Sequence, residues 1–123
     1  KQDIEELTDA EKRVAVVAKG LMRKYRWKDA VASKGDKARI HFGIIAQDLQ
    51  DAFTAESLDA SDYAMFCSDT YWDNDEVYVD DDGVSHNVVK SYYTEEEAPD
   101  GATKKTRLGV RYSELLAFII SAI

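Results

Sequence analysis

A chain of 123 residues, 45% hydrophobic and 33% charged, with six glycines and one proline, has the composition of a folded domain and excludes collagen-like, mucin-like and disordered polymers. Sixteen Lys and Arg against twenty-four Asp and Glu leave a net charge of −8, which opposes phosphate binding and sets nucleic acid aside as a partner. One cysteine, Cys67, excludes an internal disulfide, and with only His41 and His86 beside it no zinc set exists, so no metal or cofactor is expected.

The densely charged start, Lys1 to Arg13, lacks the apolar core of a signal peptide. Ile4, Leu7, Val14, Val17 and Leu21 recur at three- and four-residue multiples, which predicts a helix up to about Gly20. Tyr25 to Lys28 alternates aromatic and basic residues as a half-buried strand does, and Ser33 to Asp36 supplies a turn. Arg39 to Ala46 reads as a mostly apolar strand, and Asp48 to Glu56 as a short helix with Leu49, Ala52 and Phe53 inward. Asp59 or Ser61 caps or turns the chain into a strand from Tyr63 to Cys67.

The segment 69–100 concentrates the charge, with eleven acids against one base, Lys90. Strand-like Asp69 to Val79 and the turn signal Asp82-Gly83 make it an acidic hairpin arm, expected to protrude because unpaired buried charges are costly. Its Asp80-Asp81-Asp82-Gly83 run fails as a calcium loop: the acids do not alternate, and Val89 stands where a bidentate Glu is needed. Pro99 and Asp100-Gly101 mark Glu95 to Lys105 as a loop, and Arg107 to Val110 is short and extended. The last helix, 111–123, is apolar around more than half its circumference, so it is buried against the body of the domain or packed against copies of itself. Its nine-residue apolar run from Leu115 falls short of the roughly 20 that cross a bilayer, so no membrane partner is expected. The fold class expected is α+β: an N-terminal helix, a small antiparallel sheet with a short helix, the acidic arm and a C-terminal helix.

Two blocks carry a resemblance: His41-Phe42-Gly43-Ile44-Ile45-Ala46-Gln47-Asp48-Leu49, and Leu108-Gly109-Val110-Arg111-Tyr112-Ser113-Glu114-Leu115-Leu116-Ala117. With the acidic amphipathic start Lys1 to Leu7 and the aromatic Tyr25-Arg26-Trp27, they resemble the intramolecular chaperone auto-processing domain at the C-terminus of phage tailspikes and tail fibres, of the endosialidase type. A relative of that domain occurs in eukaryotic myelin regulatory factors. The resemblance implies a homotrimer packed through the C-terminal helix, with the upstream β-rich stalk of its own precursor as folding client. It further implies release by autoproteolysis through a Ser-Lys dyad, in the host cytoplasm during phage assembly, leaving the domain absent from the mature virion.

Lys1 matches the lysine of that dyad, and the serine is expected five positions before it, so the chain as it stands is expected to be inactive, a released or truncated chaperone unit. His41 is either a structural histidine or a group that supports cleavage. Arg111 opens a helix whose dipole disfavours a cation, so an anionic or carbonyl partner is expected, in an interchain bridge or in cleavage. Gln47 caps its helix or bonds a neighbouring chain. Conventional hydrolase motifs and phosphate loops are absent, and nothing pins two acids across a cleft as a glycosidase needs. The alternative to a self-cleaving chaperone is a non-catalytic trimerisation or adhesion module of a fibre.

Overall fold

Helix α1 (Asp9–Leu21) begins at a reciprocal cap: the Glu11 amide donates to Thr8 Oγ1 at 3.1 Å, and the Thr8 amide donates to Glu11 Oε1 at 2.7 Å. The computed structural model describes residues 1–123 and divides them into two units, Lys1–Cys67 with Gly109–Ile123, and Ser68–Leu108. Residues 4–7, expected to be helical, are irregular, and α1 turns Val14, Ala15 and Ala18 inward while Val17 stays exposed. The cap sets the true helix start, so a periodicity counted from Ile4 selects the wrong stripe. Alanines, which hydropathy undervalues, let α1 approach its neighbours closely.

Strand β1 (Arg23–Tyr25) pairs antiparallel with β2 (His41–Gly43), Arg23 opposite Gly43 and Tyr25 opposite His41. Between them Lys28–Lys34 forms helix α2, followed by a 3-10 turn at Gly35–Lys37. This corrects the expected strand to Lys28 and the expected turn at Ser33. The helix-favouring run Ala30-Val31-Ala32 prevails over aromatic alternation, and Gly35, at φ 58°, ends the helix. The paired part of β2 is also shorter than expected, because helix α3 (Ala46–Ala55) starts within the apolar run.

Leu49, Ala52 and Phe53 of α3 are buried, as their spacing implies, and α1 packs on both α3 and α4 (Tyr112–Ser121). Phe53 stacks on Tyr63 at 4.6 Å between centroids and on Phe118 at 5.8 Å. Phe53, Leu49, Leu115 and Val14 are the largest fully buried side chains, each contributing about 1.5–3 kcal/mol. Tyr63 donates its hydroxyl proton to Glu11 Oε2 at 2.8 Å, linking the helix cap to the core. Burial, reinforced by the Glu11 carboxylate, pushes the Tyr63 hydroxyl up to about 12, while the bond from the Thr8 amide, with that from Tyr63, holds Glu11 below its ordinary value.

The second unit holds most of a three-stranded sheet, with β3 (Phe66–Val79) between β4 (Ser85–Tyr92) and β5 (Thr103–Val110). β3 and β4 are antiparallel, from Trp72 opposite Tyr92 to Val79 opposite Ser85. Lys105 bonds Asp73 at 3.0 Å while Arg107 lies over the Tyr71 ring, so β5 also runs antiparallel to β3. β5 thus begins inside the segment read as a loop. No residue of Ser68–Leu108 is buried. Three of its acids are held charged by polar neighbours: Ser91 and then Lys105 lower Asp73, Asn74 and Tyr92 lower Glu76, and His86 with the Val84 amide lowers Asp80. The class is α+β, with four helices and small antiparallel sheets. No helix is long and apolar enough to cross a membrane, and no three His, Cys, Asp or Glu side chains gather to hold a metal ion.

Candidate functional site

The end of β2 meets the start of α4 at Gly43. A Cβ there would lie 2.5 Å from the Tyr112 hydroxyl oxygen and 3.3 Å from the Tyr25 ring, so the approach requires glycine. The Ile44 amide donates to the Tyr112 hydroxyl at 3.2 Å, which fastens the strand-to-helix junction to α4. Beside it the Tyr25 ring stacks on His41 at 5.6 Å and 23°, and meets Trp27 edge-on at 5.1 Å and 80°. Tyr25, Trp27, Gly43, Ile44, Ile45 and Tyr112 border a hollow of about 360 Å³. Ile45 at its border is 62% exposed, and Phe42, on the other face of β2 from His41, is 72% exposed.

His41 therefore lies on β2 with its ring against aromatic side chains. Arg111 precedes α4 as its N-terminal cap residue, and its Nη1 donates to the Ala64 carbonyl at 3.0 Å while its amide donates to the Met65 carbonyl at 2.8 Å. The partner is a carbonyl, one of the two kinds the sequence implied. Lys1 is exposed in the irregular segment before α1. Neither His41 nor Arg111 is joined to Lys1 by a hydrogen bond or ion pair. Gln47 does not cap its helix: it is the second residue of α3, and its Nε2 donates to Gln50 Oε1 at 3.1 Å and Asp51 Oδ1 at 2.9 Å.

On α4, Leu115 and Ile119 face inward, whereas Leu116 and Ile120 remain open, as does Ile123 just beyond the helix, the last two 67% and 83% exposed. The body thus covers one apolar stripe and leaves another. Gly43 and Tyr112 stand in the two motif blocks, but nothing in the sequence says that they meet. The signal available was a Gly within an otherwise bulky strand, which marks close backbone approach.

Comparison with known proteins bears on this arrangement. A family model described as chaperone of endosialidase matches residues 1–58. The tail spike protein of Escherichia virus K5 is 37% identical over 93 residues, covering 75% of this chain and 12% of that protein. The probable tail spike protein of Klebsiella phage 0507-KN2-1 is 44% identical over 78 residues, 63% of this chain and 6% of its own length. Among solved structures, one described as a novel intramolecular chaperone matches 99% of this chain and 89% of its own, with a TM-score of 0.73 and 28% identity. The carboxy-terminal domain of the bacteriophage T5 L-shaped tail fibre, solved with its intramolecular chaperone domain, shares the fold at a TM-score of 0.65 and 20% identity, over 99% of this chain and 26% of that one.

Proposed function

The chain belongs to the chaperone-of-endosialidase family, and from that premise we propose that it is the C-terminal intramolecular chaperone of a phage tail spike or tail fibre. It forms a homotrimer, holds three upstream chains in register while their β-rich stalk folds, and is then released by autoproteolysis. Release occurs in the host cytoplasm during phage assembly and leaves the mature virion without the domain. The observation that carries this reading is the end-to-end likeness to the solved intramolecular chaperone, over 99% of this chain and 89% of that one. The open stripe Leu116, Ile120 and Ile123 supports the trimer, since threefold packing would remove that apolar surface from water. The acidic unit Ser68–Leu108 contacts the client.

Cleavage uses a serine five positions before Lys1. The neutral Lys1 amine takes the serine hydroxyl proton and Oγ attacks the carbonyl carbon of the preceding peptide bond. The C–N bond then breaks as its nitrogen is protonated, and water hydrolyses the resulting ester. His41 and Arg111 orient these groups. A lysine serves as base once it is desolvated, and Lys1 is exposed in the single chain, so assembly supplies the cover. A dyad active earlier would sever the chaperone before it had acted.

The test is a precursor carrying the stalk and the serine ahead of Lys1. The unmodified precursor is expected to trimerise and split immediately before the serine, and the Lys1→Ala precursor to trimerise and stay joined. Efficient cleavage by Lys1→Ala removes Lys1 as base. A precursor that trimerises and folds its stalk but never cleaves assigns the chain to the non-catalytic module.

A further inference from the structure

The two ends of α4 carry different parts of the proposed site. Arg111 caps its start, where Tyr112 holds Gly43 and Ile44 next to His41. Glu6 and Leu7 instead border a hollow with Lys12 and Ser121, at the other end of the helix. Ten residues of α4 separate these ends by about 15 Å. The N-terminal segment is irregular, Lys1 to Glu6 are exposed, and Ile4 is 84% exposed. It combines one open isoleucine with the carboxylates of Asp3, Glu5 and Glu6.

The aromatic hollow has the complementary make-up. Arg23 borders it, and Tyr25 and Trp27 also line an adjoining hollow of about 720 Å³ with Arg26 and Lys28. Lys24 and Ile40 extend the rim, on which Asp29 is an acid. Aromatic rings ringed by cations suit a segment with an apolar side chain among carboxylates.

We infer that residues 1–7 of one copy dock in the hollow at Tyr25 and Trp27 of a neighbouring copy, Ile4 against the rings and Asp3, Glu5 and Glu6 against the basic rim. The inference rests on the trimeric chaperone reading. Docking carries Lys1 of one chain to the His41 side of the next, so the site is built from two chains and is complete only in the assembly.

Two chains test this, both carrying Cys67→Ser, one with Ile4→Cys and the other with Trp27→Cys, distinguished by a mass tag and folded together under oxidising conditions. A disulfide joining one chain of each kind is expected, and it should be lost when Glu5→Lys and Glu6→Lys are added to the first chain. Ile45→Cys serves as a second acceptor in case Trp27→Cys disturbs the platform. A trimer by sedimentation that links at neither acceptor overturns the inference and leaves the chaperone reading standing. So does a chain carrying both Ile4→Cys and Trp27→Cys that closes its disulfide internally at high dilution, or a precursor in which Trp27→Cys links to a cysteine introduced in the stalk in place of Ile4→Cys. A chain that stays monomeric and does not assist stalk folding overturns both.

Discussion

Gly43 shows how one missing side chain sets the position of a helix. Gly43→Ala places a methyl group against the Tyr112 hydroxyl, so the ring must swing away and the Ile44 amide loses its partner. The expected loss is about 1–3 kcal/mol, more than the roughly 0.5–1.5 kcal/mol of Tyr112→Phe, which removes the hydrogen bond alone. In a double-mutant cycle by denaturant unfolding, the alanine should cost less when Phe already stands at 112, because the clashing oxygen is gone. Glu11 and Tyr63 give the protein two titration limbs. The folded state lowers Glu11, so its contribution is present above the ordinary 4.5 and is lost as pH falls below it. The folded state raises Tyr63, so its contribution is present below the ordinary 10.0 and is lost as pH rises toward about 12. Melting temperature against pH should therefore flatten on the alkaline side in Tyr63→Phe and on the acid side in Glu11→Gln.

At the scale of elements, α1 depends on its cap and α4 on which of its stripes is touched. Thr8→Ala removes the acceptor for the Glu11 amide and should lower stability by about 1 kcal/mol, read from thermal unfolding by circular dichroism. Leu115 and Ile119 look from the sequence like the obvious positions at which to break an oligomer. In the folded chain they are buried under α1, so Leu115→Asp is expected to unfold the monomer itself. Leu116→Asp with Ile120→Asp acts on the open stripe instead. That pair should retain helical signal while the sedimentation mass drops to one chain, and an unchanged mass would remove this stripe from the proposed trimer interface.

At the scale of the whole molecule, the chain enters the unit Ser68–Leu108 along β3 and leaves it along β5. A Cβ on Gly109 would sit 3.7 Å from Cys67 Cβ, so a short Gly-Ser linker can replace everything between them. With no buried residue in that unit, its removal should leave the unfolding midpoint of the remainder, and its trimerisation, nearly unchanged. The yield of folded stalk from a precursor should fall. Equal yield without the unit would take away its proposed contact with the client.

The sequence by itself determined the α+β class, the inward face of α3 and the excess apolar surface of α4, because these follow from local periodicity and from the sheer number of large aliphatic side chains. The motif blocks about Gly43 and Arg111 likewise led to the family. Tertiary structure decided the rest. Where α1 starts depends on a reciprocal cap at Thr8 that hydropathy does not register, and α2 arises because helix-forming residues outweigh a short aromatic alternation. Which stripe of α4 is left open depends on how α1 and α3 approach it. Gly43 and Tyr112 meet across more than sixty residues of chain, and such a contact exists only once the strand and the helix have packed.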